Sequence, residues 1–134
     1  MAVSASKLAE LEMGGEKYNV IQTSFESMKS VDNQNRATSF VKQATGRFVL
    51  EGTEKASKVF EKFSNSRKRD DATLTLFNTH EDGELAKMEF KESSITYYAS
   101  NYDAASDTPY TITIVLSAKE ITYGSGKLEF NQNT

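Results

Sequence analysis

The sequence has no cysteine, no tryptophan, one proline and one histidine. Without cysteine there is no disulfide scaffold, no thiolate zinc site and no thiol nucleophile. The single histidine, His80, stands in the turn His80-Glu81-Asp82-Gly83-Glu84. Its spacing fits neither an EF-hand loop nor a His-x-x-x-His pair, so an ordinary exposed acidic turn accounts for it. No apolar run approaches the ~18 residues needed to span a bilayer. The opening Met1 to Glu10 lacks a basic start followed by an apolar stretch, so no cleavable secretory signal is read and synthesis in the cytosol is expected. A formal net charge of -3 argues against a protein whose task is gripping a phosphate backbone.

Catalytic motifs are missing too. No Gly-x-Ser-x-Gly elbow presents a serine, and no phosphate-cradling glycine loop occurs. Ser39 with Lys42, and Ser4 with Lys7, match Ser-x-x-Lys, as chance allows among fifteen serines, and the companion motifs are absent. Arg67-Lys68-Arg69 is followed at once by Asp70-Asp71, so local charge nearly cancels and both groups read as solvated. The reading is of a binding or structural protein, not an enzyme, with no cofactor and no metal.

What is present is period-two patterning in 134 residues, a length for one domain spanning 1–134 that can bury roughly two thirds of its unfolded surface. Aromatic residues at 10% are too many for a disordered chain. Leu8 to Met13 and Lys17 to Thr23 flank Gly14-Gly15, a tight-hairpin signal, and the second run can continue through Phe25 and Met28. Residues 30–46 form a long polar loop carrying Phe40-Val41, an apolar pair expected to dock somewhere. A strand at Arg47 to Glu51 precedes the one convincing helix, about residues 53–65. Thr53 is its expected N-cap, and Ala56, Val59, Phe60 and Phe63 form its apolar stripe.

Strands follow at Ala72 to Phe77, Leu85 to Glu92, Ile95 to Tyr102 and Tyr110 to Leu116. In the third of these, Ile95, Tyr97 and Ala99 are expected on one face, opposite Thr96, Tyr98 and Tyr102. Lys119 to Tyr123 either prolongs the Tyr110 to Leu116 run or forms the next strand, and Lys127 to Phe130 is expected as a final short strand. Seven or eight strands with one helix define a mainly β fold, an antiparallel β-barrel or two packed sheets. Tyr110 to Ser117 has no charge and high β propensity, so it must be central, or its edge must be covered by a partner.

The order of these elements is specific. The opening hairpin, the long loop with Asp32 and Arg36, the stretch GRFVLEGTEKASKVFEKF and the close YDAASDTPYTITIVLSAKEITYG carry the pattern. Within it stand Lys87 to Phe90, Ile95 to Tyr98, Asp107 to Pro109, Thr111 to Leu116, and Ser117-Ala118 with Ile121. Over roughly residues 8 to 126 this resembles the tube protein of the type VI secretion system, the haemolysin co-regulated protein family, in its Bacteroidota-like form. Relatives tend to carry Gly-Arg-Pro where this chain has Asn35-Arg36-Ala37.

The resemblance implies a barrel with one outer helix and a protruding loop. It implies homohexameric rings that stack into a hollow tube, driven outward by a contractile sheath behind a spike, with effector proteins in the lumen. It implies a protein that is cytoplasmic on assembly and extracellular on firing, without a signal peptide, membrane insertion, nucleic-acid partner or enzymatic activity. Asp32, Asn35, Arg36, Phe40 and Val41 are the expected stacking-loop contacts, and Thr111, Thr113 and Val115 the expected ring-edge strand. The alternatives are a tail-tube protein of a phage-like or extracellular contractile particle, and a monomeric ligand-binding β-barrel presenting Tyr97, Tyr98 and Tyr102 around a pocket.

Overall fold

The computed structural model describes residues 9–28, 33–34, 43–65, 69–77 and 84–129. Its elements are β1 (Ala9–Met13), β2 (Glu16–Met28), β3 (Gln43–Glu51), α1 (Ala56–Ser64), β4 (Asp70–Phe77), β5 (Glu84–Tyr102), β6 (Tyr110–Ser117), β7 (Glu120–Tyr123) and β8 (Gly126–Glu129). Gly14 and Gly15 join β1 to β2 with φ of 59° and 85°. Two consecutive positive φ values give the primed turn whose twist matches the strands it joins.

The strands run in the order β4-β1-β2-β3-β6-β5, and β4 pairs back onto β5, so the antiparallel sheet closes on itself as a near-barrel ring. Two long strands make closure possible. β2 pairs with β1 through residues 16–19 and with β3 through residues 20–28. β5 pairs with β4 over residues 84–93 and with β6 over residues 94–102. Strand β7 continues the line of β6 along β5, and β8 lies beside β7. Each long strand thus belongs to two halves. One half holds β1, β4, β7 and β8. The other holds β3 and β6, with the last parts of β2 and β5 on its flanks.

The core fills the space between the halves. Phe90 sits edge-on to Phe48, ring centres 5.8 Å apart, and to Phe25 at 6.4 Å. Leu11, Leu50, Ile112, Ile114 and Leu116 surround them with essentially no exposure. In β6 the buried residues alternate with half-buried Thr111, Thr113, Val115 and Ser117, the period expected of a strand with one face on a core.

Several expected boundaries move. Two runs expected as separate strands, 85–92 and 95–102, are the single strand β5. Strand β3 starts at Gln43, so the last residues of the expected 30–46 loop are sheet. The helix begins at Ala56 with Lys55 as its N-cap and no side-chain cap. Thr53 lies just ahead, its Oγ1 accepting the Lys55 N–H at 3.2 Å in a turn rather than a cap. In β5 a bulge at Thr96 separates Ile95 from Tyr97 and Ala99, the residues expected to share its face. Ile95 pairs with Leu116 and Tyr98 with Ile114, both on the core side, while Tyr97 turns outward, 47% exposed.

Gly52 shows how tightly the ring is closed beside the helix. Its N–H donates to the Tyr110 carbonyl at 2.8 Å, and a Cβ at this position would lie 2.2 Å from the Tyr110 ring. Gly52→Ala must therefore displace Tyr110 or part the backbones. It is expected to lower unfolding free energy by about 1–3 kcal/mol, read as a lower urea midpoint at unchanged slope.

Candidate assembly interface

Strand edges are where a β protein meets partners, because their N–H and C=O groups lack intramolecular bonds. Among the described residues, β2 over residues 21–28 is paired only with β3, and β5 over residues 94–102 only with β6. These two open edges belong to the same half and face opposite ways, with β3 and β6 between them. The β5 edge reads SITYYASNY and carries no charge, glycine or proline. The β2 edge reads IQTSFESM, with Glu26 its one charge. The outer edge of β8 is different. It is only four residues long, and Lys127 reaches Glu120 at 3.2 Å and Glu129 at 3.1 Å. Short and charged, it is protected against pairing.

Helix α1 sits at the corner beside the open β5 edge, and ion pairs fix it there. Lys62 Nζ meets Asp70 Oδ2 at 2.9 Å in a largely enclosed pair. Lys58 reaches Glu16 at 2.6 Å, and Lys55 reaches the same carboxylate at 3.4 Å. The Lys58 hydrogen bond, helped by Lys55, holds the Glu16 carboxyl below its ordinary range. Gly14 lies under the end of Lys62, where a Cβ would strike the ammonium.

Of the expected apolar stripe, Ala56 and Val59 are buried, but Phe60 is 51% exposed and Phe63 36%. Both phenylalanines rest on Tyr98, Phe60 edge-on at 5.3 Å and Phe63 stacked at 5.8 Å. The helix thus covers the end of the core with its first turns and leaves an aromatic patch at the rim.

The expected interface residues fare differently. Asp32, Asn35, Arg36, Phe40 and Val41 lie outside the described residues, as does the His80 turn up to Gly83. Strand β6 is not an edge. It is hydrogen-bonded on both sides, so Thr111, Thr113 and Val115 stand on the outer face of an interior strand. The uncharged exposed edge is that of β5. Tyr97 and Tyr98 point to opposite faces and do not gather around a pocket; Arg47 lies over the Tyr97 ring at 5.9 Å. Asp70 and Asp71, expected as solvated charges, are structural. Asp70 binds Lys62, and Asp71 Oδ1 accepts the Glu92 N–H at 3.0 Å. Among the described residues no cluster of ligating side chains could hold a metal ion, and no helix is long and apolar enough to cross a membrane.

This closed antiparallel ring with a corner helix is a fold that occurs in contractile injection machines. A chain of the sheath–tube complex of an extracellular contractile injection system, PVC, in its extended state, shares it. The TM-score is 0.55 at 17% identity, over 87% of either chain. The sequence belongs to the haemolysin co-regulated protein family: the profile "Hemolysin coregulated protein Hcp (TssD)" matches residues 5–133. The fold is also that of Hcp1 from Flavobacterium johnsoniae, TM-score 0.85 at 24% identity over 92% of this chain and 99% of that one. Hcp1 from Salmonella typhimurium gives 0.69 at 13% identity over 90% and 89%. No curated protein matches the sequence. The family is one of structural tube proteins secreted by type VI machines.

Beneath the helix dock lies one orphan. Tyr18 is 4% exposed, and its hydroxyl has no hydrogen-bond partner among the described residues. Burial, with Glu16 and Asp70 nearby, pushes its pKa up to about 12 from 10.0. The folded protein keeps the proton where the unfolded chain has lost it. Stability contributed by the neutral phenol is therefore complete below pH 10 and declines between pH 10 and 12, by about 1.4 kcal/mol per unit. Tyr18→Phe removes both orphan and titration. It is expected to match or exceed the parent in urea midpoint at pH 7 and to lose less of it between pH 10 and 12.

Proposed function

We propose that this chain, acting over residues 1–134 as one tube domain, is the structural subunit of a type VI secretion inner tube. Six copies close head-to-tail into a ring, and rings stack into a hollow tube. A contractile sheath drives the tube outward behind its spike, and effector proteins travel in the lumen. The tube assembles in the cytoplasm and leaves the cell on firing, without catalysis or cofactor.

The observation that carries this reading is the pair of open edges on opposite sides of one half of the ring. Heterologous contacts close a ring when each copy offers two different, complementary surfaces. The half holds an even number of strands, so setting the β2 edge of one copy beside the β5 edge of the next preserves antiparallel alternation. Joined in this way, six such halves form one continuous wall around a hole. The outer face of that half then lines the lumen. On this reading Thr111, Thr113 and Val115, expected as a ring edge, become lumen wall, together with Arg47 and Tyr97. Asp32, Asn35, Arg36, Phe40 and Val41 remain proposed for stacking between rings.

Light scattering after gel filtration, with negative-stain images of the same peak, tests the assembly. Annular particles of six subunits with a central hole are expected. A monomer at every concentration, with no annular particles, is the result that counts against this function.

A further inference from the structure

Phe60 and Phe63 are the exposed large hydrophobics that lie beside an open strand edge and already rest on a residue of that strand, Tyr98. The opposite open edge has a counterpart. At the start of the unpaired stretch of β2 the register slips between Val20 and Gln22, and the bulged residue, Ile21, is 43% exposed. A bulge on an edge strand aims one side chain out of the regular ladder. The helix is held rigidly enough to present its patch, through Lys62 with Asp70 and Lys58 with Glu16.

We infer that Phe60, Phe63 and Tyr98 form a seat for a second copy of this chain, and that the occupant is the neighbour's β2 edge with its Ile21 side chain against the aromatic patch. The inference rests on the head-to-tail ring proposed above and goes further, because it names the anchor. Backbone pairing along β5 supplies direction and little selectivity, since any extended strand has the same groups. A buried aromatic anchor of this kind is where binding energy concentrates in an interface. Strand polarity allows the pairing, because β2 and β5 run antiparallel to one another across the half.

The absence of cysteine makes the contact directly testable. Copies carrying Ile21→Cys and copies carrying Phe60→Cys are mixed and treated with a short bis-maleimide. A covalent dimer is expected only in the mixture, not from either variant alone, and a chain carrying both substitutions should give a ladder ending at six. Separately, Phe60→Glu and Ile21→Glu should each raise the concentration needed for rings by about tenfold or more, with circular dichroism unchanged. If the unsubstituted chain forms rings and the mixture does not cross-link, the seat is elsewhere and the ring reading stands. Cross-linking of the Phe60→Cys variant to itself would show a two-fold contact and overturn both. Rings unaffected by either glutamate also overturn the seat. A protein that neither assembles nor cross-links removes the ring reading and the seat together.

Discussion

The fold depends on one corner in β5. At Glu92 the backbone takes φ of 49°, a left-handed conformation that costs a residue with a side chain about 1–2 kcal/mol. Without that turn, β5 would continue straight beside β4, and its second half could not reach β6 to close the ring. Asp70 and Asp71 hold the corner. The Asp71 carboxylate accepts the Glu92 N–H, and the Asp70 carbonyl accepts the hydroxyl of buried Ser93 at 2.6 Å. The Asp70 carboxylate, on the same residue, takes Lys62 of α1. Two adjacent acids therefore fix both the bend of the longest strand and the seat of the helix beside it.

Much of this was legible in the sequence, and the limits are physical. Alternation identified β6 correctly, because a strand inside the sheet with one face on the core keeps its period without interruption. Gly14-Gly15 identified the first hairpin, because only a primed turn requires two positive φ values in a row. Alternation places most of β5 on its observed faces but not Ile95, because the period is broken at Glu92 and at Thr96. A bulge is a backbone event with no reliable residue signature. The Asp-Asp pair reads as solvated in the sequence because its partners, Lys62, Glu92 and Ser93, come from two other elements and meet it only in the folded chain.

The helix shows the same limit from the other side. Spacing placed Ala56, Val59, Phe60 and Phe63 on one stripe, and they do share one side. Periodicity cannot say where a core ends. Here it ends at Tyr98, so Val59 is buried while Phe60 and Phe63 lie over the rim. The same reasoning corrects the edge. An uncharged β-prone segment must be protected, and 110–117 is protected by β3 and β5 within the chain. The segment 94–102 has equal liability and, among the described residues, only one neighbour.

The treatment of the edges bears on the proposed assembly. Selection against aggregation acts on every exposed strand edge. In β8 the ordinary remedies are present: short length and a lysine bridging two glutamates. In β5, among the described residues, neither short length nor charge is present over nine residues, and two phenylalanines that could have been polar stand beside it. Both kinds of edge occur in one chain, so a general tolerance of exposed edges does not explain the difference. An unprotected edge is sustainable when its partner is always at hand. In a head-to-tail assembly of identical copies that partner is supplied at the same concentration as the edge itself, by the opposite side of the same half of the ring.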